Sequence, residues 1–187
     1  MRQTMILFIN ACVRKESRTR ELADCLLARR TEPVEELILH TMDFPTVDEE
    51  FLKKRDLLIA GERWDDPMFA LARQFAKAEE IVIAAPFWDL SFPASLKQYL
   101  EIINVVGITF SYSPEGVPVG LCRAKRMTYV TTAGGGFVPE EFGAGYVKAL
   151  AQGFYGIPEF RVVRATGLDL EGADVRALIE AAKKEIG

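Results

Sequence analysis

The residues best suited to chemistry in this chain cluster in three short stretches. The first is Ala-Cys-Val-Arg-Lys-Glu-Ser-Arg-Thr-Arg-Glu-Leu, residues 11–22, which sets Arg14, Lys15, Ser17, Arg18 and Thr19 just before or at the start of a helix. Exposed amides, two hydroxyls, cationic side chains and the positive end of a helix dipole make an anion site there. Neither the GxGxxG of a dinucleotide fold nor GxxxxGK[ST] is present, so a single phosphate monoester suits the loop and a glycine-held pyrophosphate does not.

The second stretch, Pro86-Phe87-Trp88-Asp89-Leu90, follows an apolar run and puts two aromatic rings in a turn. Rings that stay partly accessible, next to free backbone amides, match a planar polar heterocycle better than a sugar or a peptide. The third, Thr132-Ala133-Gly134-Gly135-Gly136-Phe137, carries three glycines that let backbone approach a ligand closely and free several N–H donors. One loop for a phosphate, one for a ring face and one for a ring edge together describe FMN.

Other chemistries are poorly served. With one histidine, His40, ending a strand in a polar loop, a Ser-His-Asp hydrolase has little to work with. His40 and three scattered cysteines, Cys12, Cys25 and Cys122, lack zinc-site spacing, and no metal site is expected. The odd cysteine count without CxxC favours reduced thiols and a cytoplasmic setting. A net charge of −4 argues against nonspecific nucleic-acid binding. The apolar runs are too short to span a bilayer, and the N-terminus Met-Arg-Gln-Thr-Met-Ile-Leu-Phe-Ile-Asn-Ala-Cys reads as a strand without a cleavage site.

The elements that must position these loops alternate along the chain. Strand-like runs at 5–11, 34–39, 81–86, 126–133 and 159–166 are separated by helical patterns at 17–30, 48–60, 66–78, 94–105 and 143–154, with a closing helix at 173–186. Residues 107–120 break the rhythm as a hairpin-like excursion around Ser113-Pro114-Glu115-Gly116. Five strands interleaved with helices imply one parallel sheet covered on both faces, in a single domain over 1–187. Right-handed crossovers leave two common orders, 3-2-1-4-5 and 2-1-3-4-5, and both place ligands beyond the carboxyl ends of the strands where the order reverses. The loops after strands one, three and four are therefore the expected site.

At these residues the chain resembles the FMN-dependent NAD(P)H:quinone oxidoreductase and azoreductase family, which has a flavodoxin-like fold. The family's Pro-x-aromatic-Asn-Phe turn and following Pro-x-x-Leu-Lys-x-Tyr are similar to Pro86-Phe87-Trp88-Asp89-Leu90 and Pro93-Ala94-Ser95-Leu96-Lys97-Gln98-Tyr99. Its Gly-Val-Thr-Phe-x-Tyr segment appears as Gly107-Ile108-Thr109-Phe110-Ser111-Tyr112, and its Thr-Ser-x-Gly-Gly turn as Thr131-Thr132-Ala133-Gly134-Gly135. Ser17-Arg18-Thr19-Arg20-Glu21-Leu22 matches its Ser-x-Ser/Thr-x-x-Leu.

The resemblance implies a three-layer α/β/α sandwich with a five-stranded parallel sheet in the order 2-1-3-4-5, and a homodimer with active sites at the interface. It implies noncovalent FMN, with the phosphate held by Ser17, Arg18 and Thr19 and with Arg14 as a further partner. Pro86, Phe87, Trp88, Asp89 and Leu90 would line the ring, and Thr132, Ala133, Gly134 and Gly135 its rim. Phe110, Tyr112 and Phe137 would form the outer wall of a substrate pocket, with packing of the hairpin as the equal alternative for Phe110 and Tyr112. Asp89 stands where many members have Asn; a carboxylate accepts but does not donate, so it is expected to face flavin N3–H or solvent. Ala11-Cys12 stands where members often have a serine.

The activity implied is reduction of quinones, azo compounds or nitroaromatics by NAD(P)H in a ping-pong cycle through flavin N5, with no side-chain nucleophile required. NADH and NADPH are not distinguished by the sequence. The alternative is a flavodoxin-like electron carrier without direct NAD(P)H activity.

Overall fold

The computed structural model describes residues 5–186. Residues 1–4 and Gly187, which the expected domain and N-terminal strand include, lie outside the described residues. The chain runs β1 (Ile6–Asn10), α1 (Arg18–Leu27), β2 (Val34–Ile38), α2 (Glu49–Ala60), α3 (Ala70–Lys77), β3 (Glu80–Ala84) and α4 (Ala94–Ile103). A short hairpin, β4 (Phe110–Tyr112) and β5 (Pro118–Gly120), precedes β6 (Arg126–Thr132), α5 (Ala144–Ala149), β7 (Glu159–Ala165) and α6 (Val175–Glu185).

Five strands form a parallel sheet in the order β2-β1-β3-β6-β7. The expected numbering 2-1-3-4-5 differs because the excursion contributes two antiparallel strands of its own, β4 and β5, which pair only with each other.

Side chains alternate across a strand, so a strand buried on both faces is apolar except where a polar side chain finds a partner, as Asn10 does by donating to Glu36 Oε1 at 2.9 Å. In β1 all five residues are buried. Ile6 and Phe8, with Val82, Ala84 and Val130, pack against Leu22, Ala23 and Leu26 of α1 and Ile179 and Ala182 of α6. Leu7 and Ile9, with Ile81 and Ile83, face Phe75 of α3, Leu96, Tyr99 and Leu100 of α4, and Val147 of α5. The sheet thus separates an aliphatic layer from one rich in aromatics. Order reverses at β1, whose neighbours are β2 and β3, and the chain leaves both β1 and β3 toward one end.

Two helices end differently from their sequence patterns. The pattern at 94–105 stops at Ile103, because the Thr109 hydroxyl donates to Ile103 O at 2.7 Å and accepts from the Val105 amide at 3.2 Å, capping the helix from outside. The pattern at 143–154 is α-helical only over Ala144–Ala149 and continues as a π turn over Leu150–Phe154. The Tyr155 amide reaches Leu150 O at 2.9 Å, five residues back, which turns Tyr155 into the core. There its ring meets Phe75 edge-on at 4.8 Å and its hydroxyl donates to Asn104 Oδ1 at 2.7 Å.

The hairpin is tied down by close approaches. Gly107, at φ +90°, lies against the Trp64 ring, and Gly120 backs onto the backbone of Tyr155 and Gly156. Phe110 is only 5% exposed, packed edge-on against Phe154 at 4.6 Å and Tyr112 at 5.5 Å. Among the described residues, no helix is long and apolar enough to cross a membrane.

Candidate functional site

Beyond the carboxyl ends of β1, β3 and β6 the three loops meet around a cavity of about 320 Å³. It is lined by Arg14, Ser17, Arg18 and Thr19 from the first loop, Pro86, Phe87 and Trp88 from the second, and Thr132, Ala133 and Gly134 from the third. Hydrogen bonds lace the loops together. The Phe87 amide donates to Thr132 O at 2.9 Å, and the hydroxyls of Thr19 and Thr132, both buried, are 2.6 Å apart.

Ser17 caps α1. Its backbone is extended, and its hydroxyl accepts from the Arg20 amide at 3.2 Å. The amides of Arg18 and Thr19 open the helix without an intrachain acceptor among the described residues, at the end where the dipole is positive. Ser17→Ala is expected to cost about 1 kcal/mol of stability. Thermal melting would register it as a fall of about 3 °C.

Cys12 ends the first strand's extension, its amide donating to Asn10 Oδ1 at 2.9 Å. Burial pushes the Cys12 thiol up, while a hydrogen bond with Ser17 and the charge of Arg20 pull the other way. It stands beside the cavity as a neutral thiol.

The aromatic loop has a defined conformation. The Trp88 amide donates to Ser91 O at 2.9 Å and the Ser91 amide returns to Trp88 O at 2.8 Å. Between them Asp89 and Leu90 have φ of +49° and +68°. Two positive φ values in a two-residue turn define type I′, in which Asn, Asp and Gly are the residues that fit. Asp89 therefore meets a backbone requirement that Asn meets equally. Leu90 does not suit its position and is held in a strained conformation, with its side chain accessible to solvent. Neither Asp89 nor Leu90 lines the cavity itself.

The glycine turn is stitched to the loop after β7. Leu168, Asp169 and Gly167 donate their amides to the carbonyls of Ala133, Gly134 and Gly135, at 3.2, 2.9 and 2.9 Å. Of the three glycines only Gly134 lines the cavity, and it is the one a side chain would crowd: a Cβ there would stand 2.2 Å from Asp169 Oδ2. Gly135 lies outside the lining.

The expected outer wall is not assembled within this chain. Phe110 is buried beneath the hairpin, because Phe154 and Tyr112 enclose it, and it presents no ring to a ligand. Tyr112 (52% exposed) and Phe137 (76%) project into solvent and do not line the cavity. Sequence reasoning misses Val13 and Glu16, which sit inside the first loop itself, and Leu168 and Asp169, which follow β7. The signal for the latter pair is Gly167-Leu168-Asp169, a turn after the strand next to β6.

Known proteins resemble this chain in sequence and fold. Residues 4–187 match the family described as flavodoxin-like fold. A protein of Clostridium acetobutylicum named FMN-dependent NADH:quinone oxidoreductase 2 is 38% identical over 197 residues, covering 96% of each chain. A protein of Clostridium beijerinckii named FMN-dependent NADH:quinone oxidoreductase is 35% identical over 188 residues, covering 95% of this chain and 93% of its own. An FMN-dependent NADH-azoreductase from Bacillus anthracis, solved in complex with FMN, superimposes with a TM-score of 0.83 at 25% identity, over 98% of this chain and 95% of its own. The chain belongs to the flavodoxin-like family, alongside relatives named FMN-dependent NADH:quinone oxidoreductase.

Proposed function

We propose that this chain is an FMN-dependent NADH oxidoreductase that reduces quinones, azo compounds and nitroaromatics in a ping-pong cycle. It would work as a single domain paired into a homodimer in the cytoplasm. The observation that carries the reading is the convergence of Arg14, Ser17, Arg18 and Thr19 with Pro86–Trp88 and Thr132–Gly134 on one cavity, whose lining does not include Lys15. The names of the relatives support the activity and the choice of NADH.

The residues present fit FMN. Two guanidinium groups, the Ser17 hydroxyl and the acceptor-free amides of Arg18 and Thr19 suit a phosphate monoester. Arg14, Ser17 and Arg18 would hold it with their side chains. Thr19, whose hydroxyl is engaged by Thr132, would contribute its amide. Phe87, Trp88 and Leu90 would give the ring an apolar wall. The amides of Asp89 and Leu90, which have no intrachain acceptor among the described residues, would donate to it. Thr132, Ala133, Gly134 and Gly135 would follow its rim. When bound, FMN would supply the redox chemistry, hydride acceptance at N5 from NADH and reduction of the acceptor that replaces it. The protein's share is to orient the ring, exclude water from one face and offer donors where negative charge develops. Tyr112 and Phe137, exposed in one chain, would become pocket wall on pairing.

Purified protein should bind one equivalent of FMN, oxidise NADH anaerobically with menadione as acceptor, and elute at twice the chain mass. Bound FMN that dithionite reduces and NADH does not would leave the electron carrier instead. No flavin binding after reconstitution would overturn both.

A further inference from the structure

The cavity carries an anion of its own. Arg18 Nη1 meets Asp169 Oδ1 at 2.8 Å, while the other carboxylate oxygen stands directly over the Gly134 backbone. The Asp169 amide is fixed to Gly134 O at 2.9 Å, so the backbone beneath this carboxylate is anchored. The carboxylate therefore joins the start of α1 to the glycine turn, at the end where α1 offers its free amides. Four charged residues line the cavity: Arg14 and Arg18 are cationic, Glu16 and Asp169 anionic, and their formal charges cancel.

We propose that Asp169 is a built-in counter-anion that holds Arg18 until the phosphate of a ligand displaces it, and so sets how far the site prefers FMN over the phosphate-free flavin. This rests on the reading of the cavity as an FMN site. A phosphate monoester carries nearly two negative charges near neutral pH, and the guanidinium cannot lose its own. Loading the site therefore exchanges one anionic partner of Arg18 for a stronger one and leaves Asp169 facing a like charge. The pair to be broken is weak, since its side chains are 43% and 69% exposed and water screens them. The exchange can proceed, but its cost is subtracted from the affinity for FMN. Riboflavin lacks the phosphate and leaves the pair intact.

Asp169→Asn keeps the side-chain size and removes the charge. Flavin fluorescence quenching should show FMN binding tightened about tenfold in D169N, as one screened ion pair and one repulsion disappear. Riboflavin affinity should be unchanged. FMN affinity should also fall more steeply with salt, because Arg18 is no longer neutralised. In an R18Q background D169N should give a clearly smaller gain, the part that comes from removing the repulsion alone, and a double-mutant cycle reads the difference as coupling between the two positions. Glu16→Gln serves as the control for a general change in charge. Equal FMN affinity in D169N and wild type, or a gain equal to that of E16Q, would overturn the proposal. So would weakening of FMN and riboflavin together, which would make Asp169 a direct ligand of the sugar chain. Wild-type protein that binds no FMN would instead overturn the cofactor reading, and the counter-anion with it.

Discussion

Asp89→Val is expected to weaken FMN binding by about thirtyfold, whereas Asp89→Asn and Asp89→Gly should bind within about twofold of wild type. The turn that presents the aromatic loop closes through two Trp88–Ser91 backbone hydrogen bonds, with Asp89 at φ +49°. A β-branched side chain in that left-handed region meets its own backbone, and holding it there costs about 2 kcal/mol. At 1.4 kcal/mol per tenfold, that is the thirtyfold loss if the bound state requires the turn and the free state can relax. Fluorescence titration of the three variants separates two roles for the residue. If the carboxylate itself contacts the flavin, glycine will lose as much as valine. If the backbone conformation is what matters, only valine suffers. Valine binding as well as asparagine would remove the turn from the account altogether.

Gly120→Ala should be the most damaging single methyl group for stability. Its Cβ would stand 2.1 Å from Gly156 N, 2.2 Å from Tyr155 C and 2.4 Å from Gly156 Cα. These are backbone atoms of the segment that follows the π turn, so no side-chain rotation relieves the contact. Overpacking of this kind costs about 3 kcal/mol or more, because strand β5 must lift away from residues 155–156. For a chain of this size that is a fall of about 6–12 °C in melting temperature. Gly116→Ala provides the contrast. Gly116 sits at φ +78° in the hairpin loop with nothing within 4 Å of the methyl that alanine would add, so the substitution costs only the left-handed backbone penalty of about 1 kcal/mol. Equal melting temperatures for the two variants would show that the hairpin is not seated on Tyr155 and Gly156.

Much of this architecture is legible in the chain. The uninterrupted apolar character of Ile6–Ile9 and Ile81–Ala84 reports strands covered on both faces, because any polar side chain there would be buried without a partner. Ser17 announces the start of α1 for an equally local reason. What the chain conceals is mostly non-local. The end of α4 is decided by Thr109, whose hydroxyl comes back from beyond the helix, and α5 gives way to a π turn because Tyr155 is drawn to Phe75 and Asn104. Asp169 escapes a search limited to the loops after strands one, three and four, since it reaches the cavity only through backbone bonds between two adjacent loops. Asp89 looks like a departure when read as a ligand and becomes ordinary once the turn type is known. Phe110 fits two expectations from its motif, pocket wall or hairpin packing, and its ring takes the second, enclosed by Phe154 and Tyr112.

The close contact of Trp64 with Gly107 also makes the chain spectroscopically convenient. It contains two tryptophans. Trp64 lies against the start of the hairpin segment, where a Cβ on Gly107 would come within 2.6 Å of its ring, and Trp88 stands at the mouth of the cavity. Their indoles have different surroundings, the hairpin for one and the ligand cavity for the other. Replacing either by phenylalanine would leave a single-tryptophan protein, and in the flavin-free form its indole emission, excited selectively over the five tyrosines, reports on one of these surroundings without an added dye.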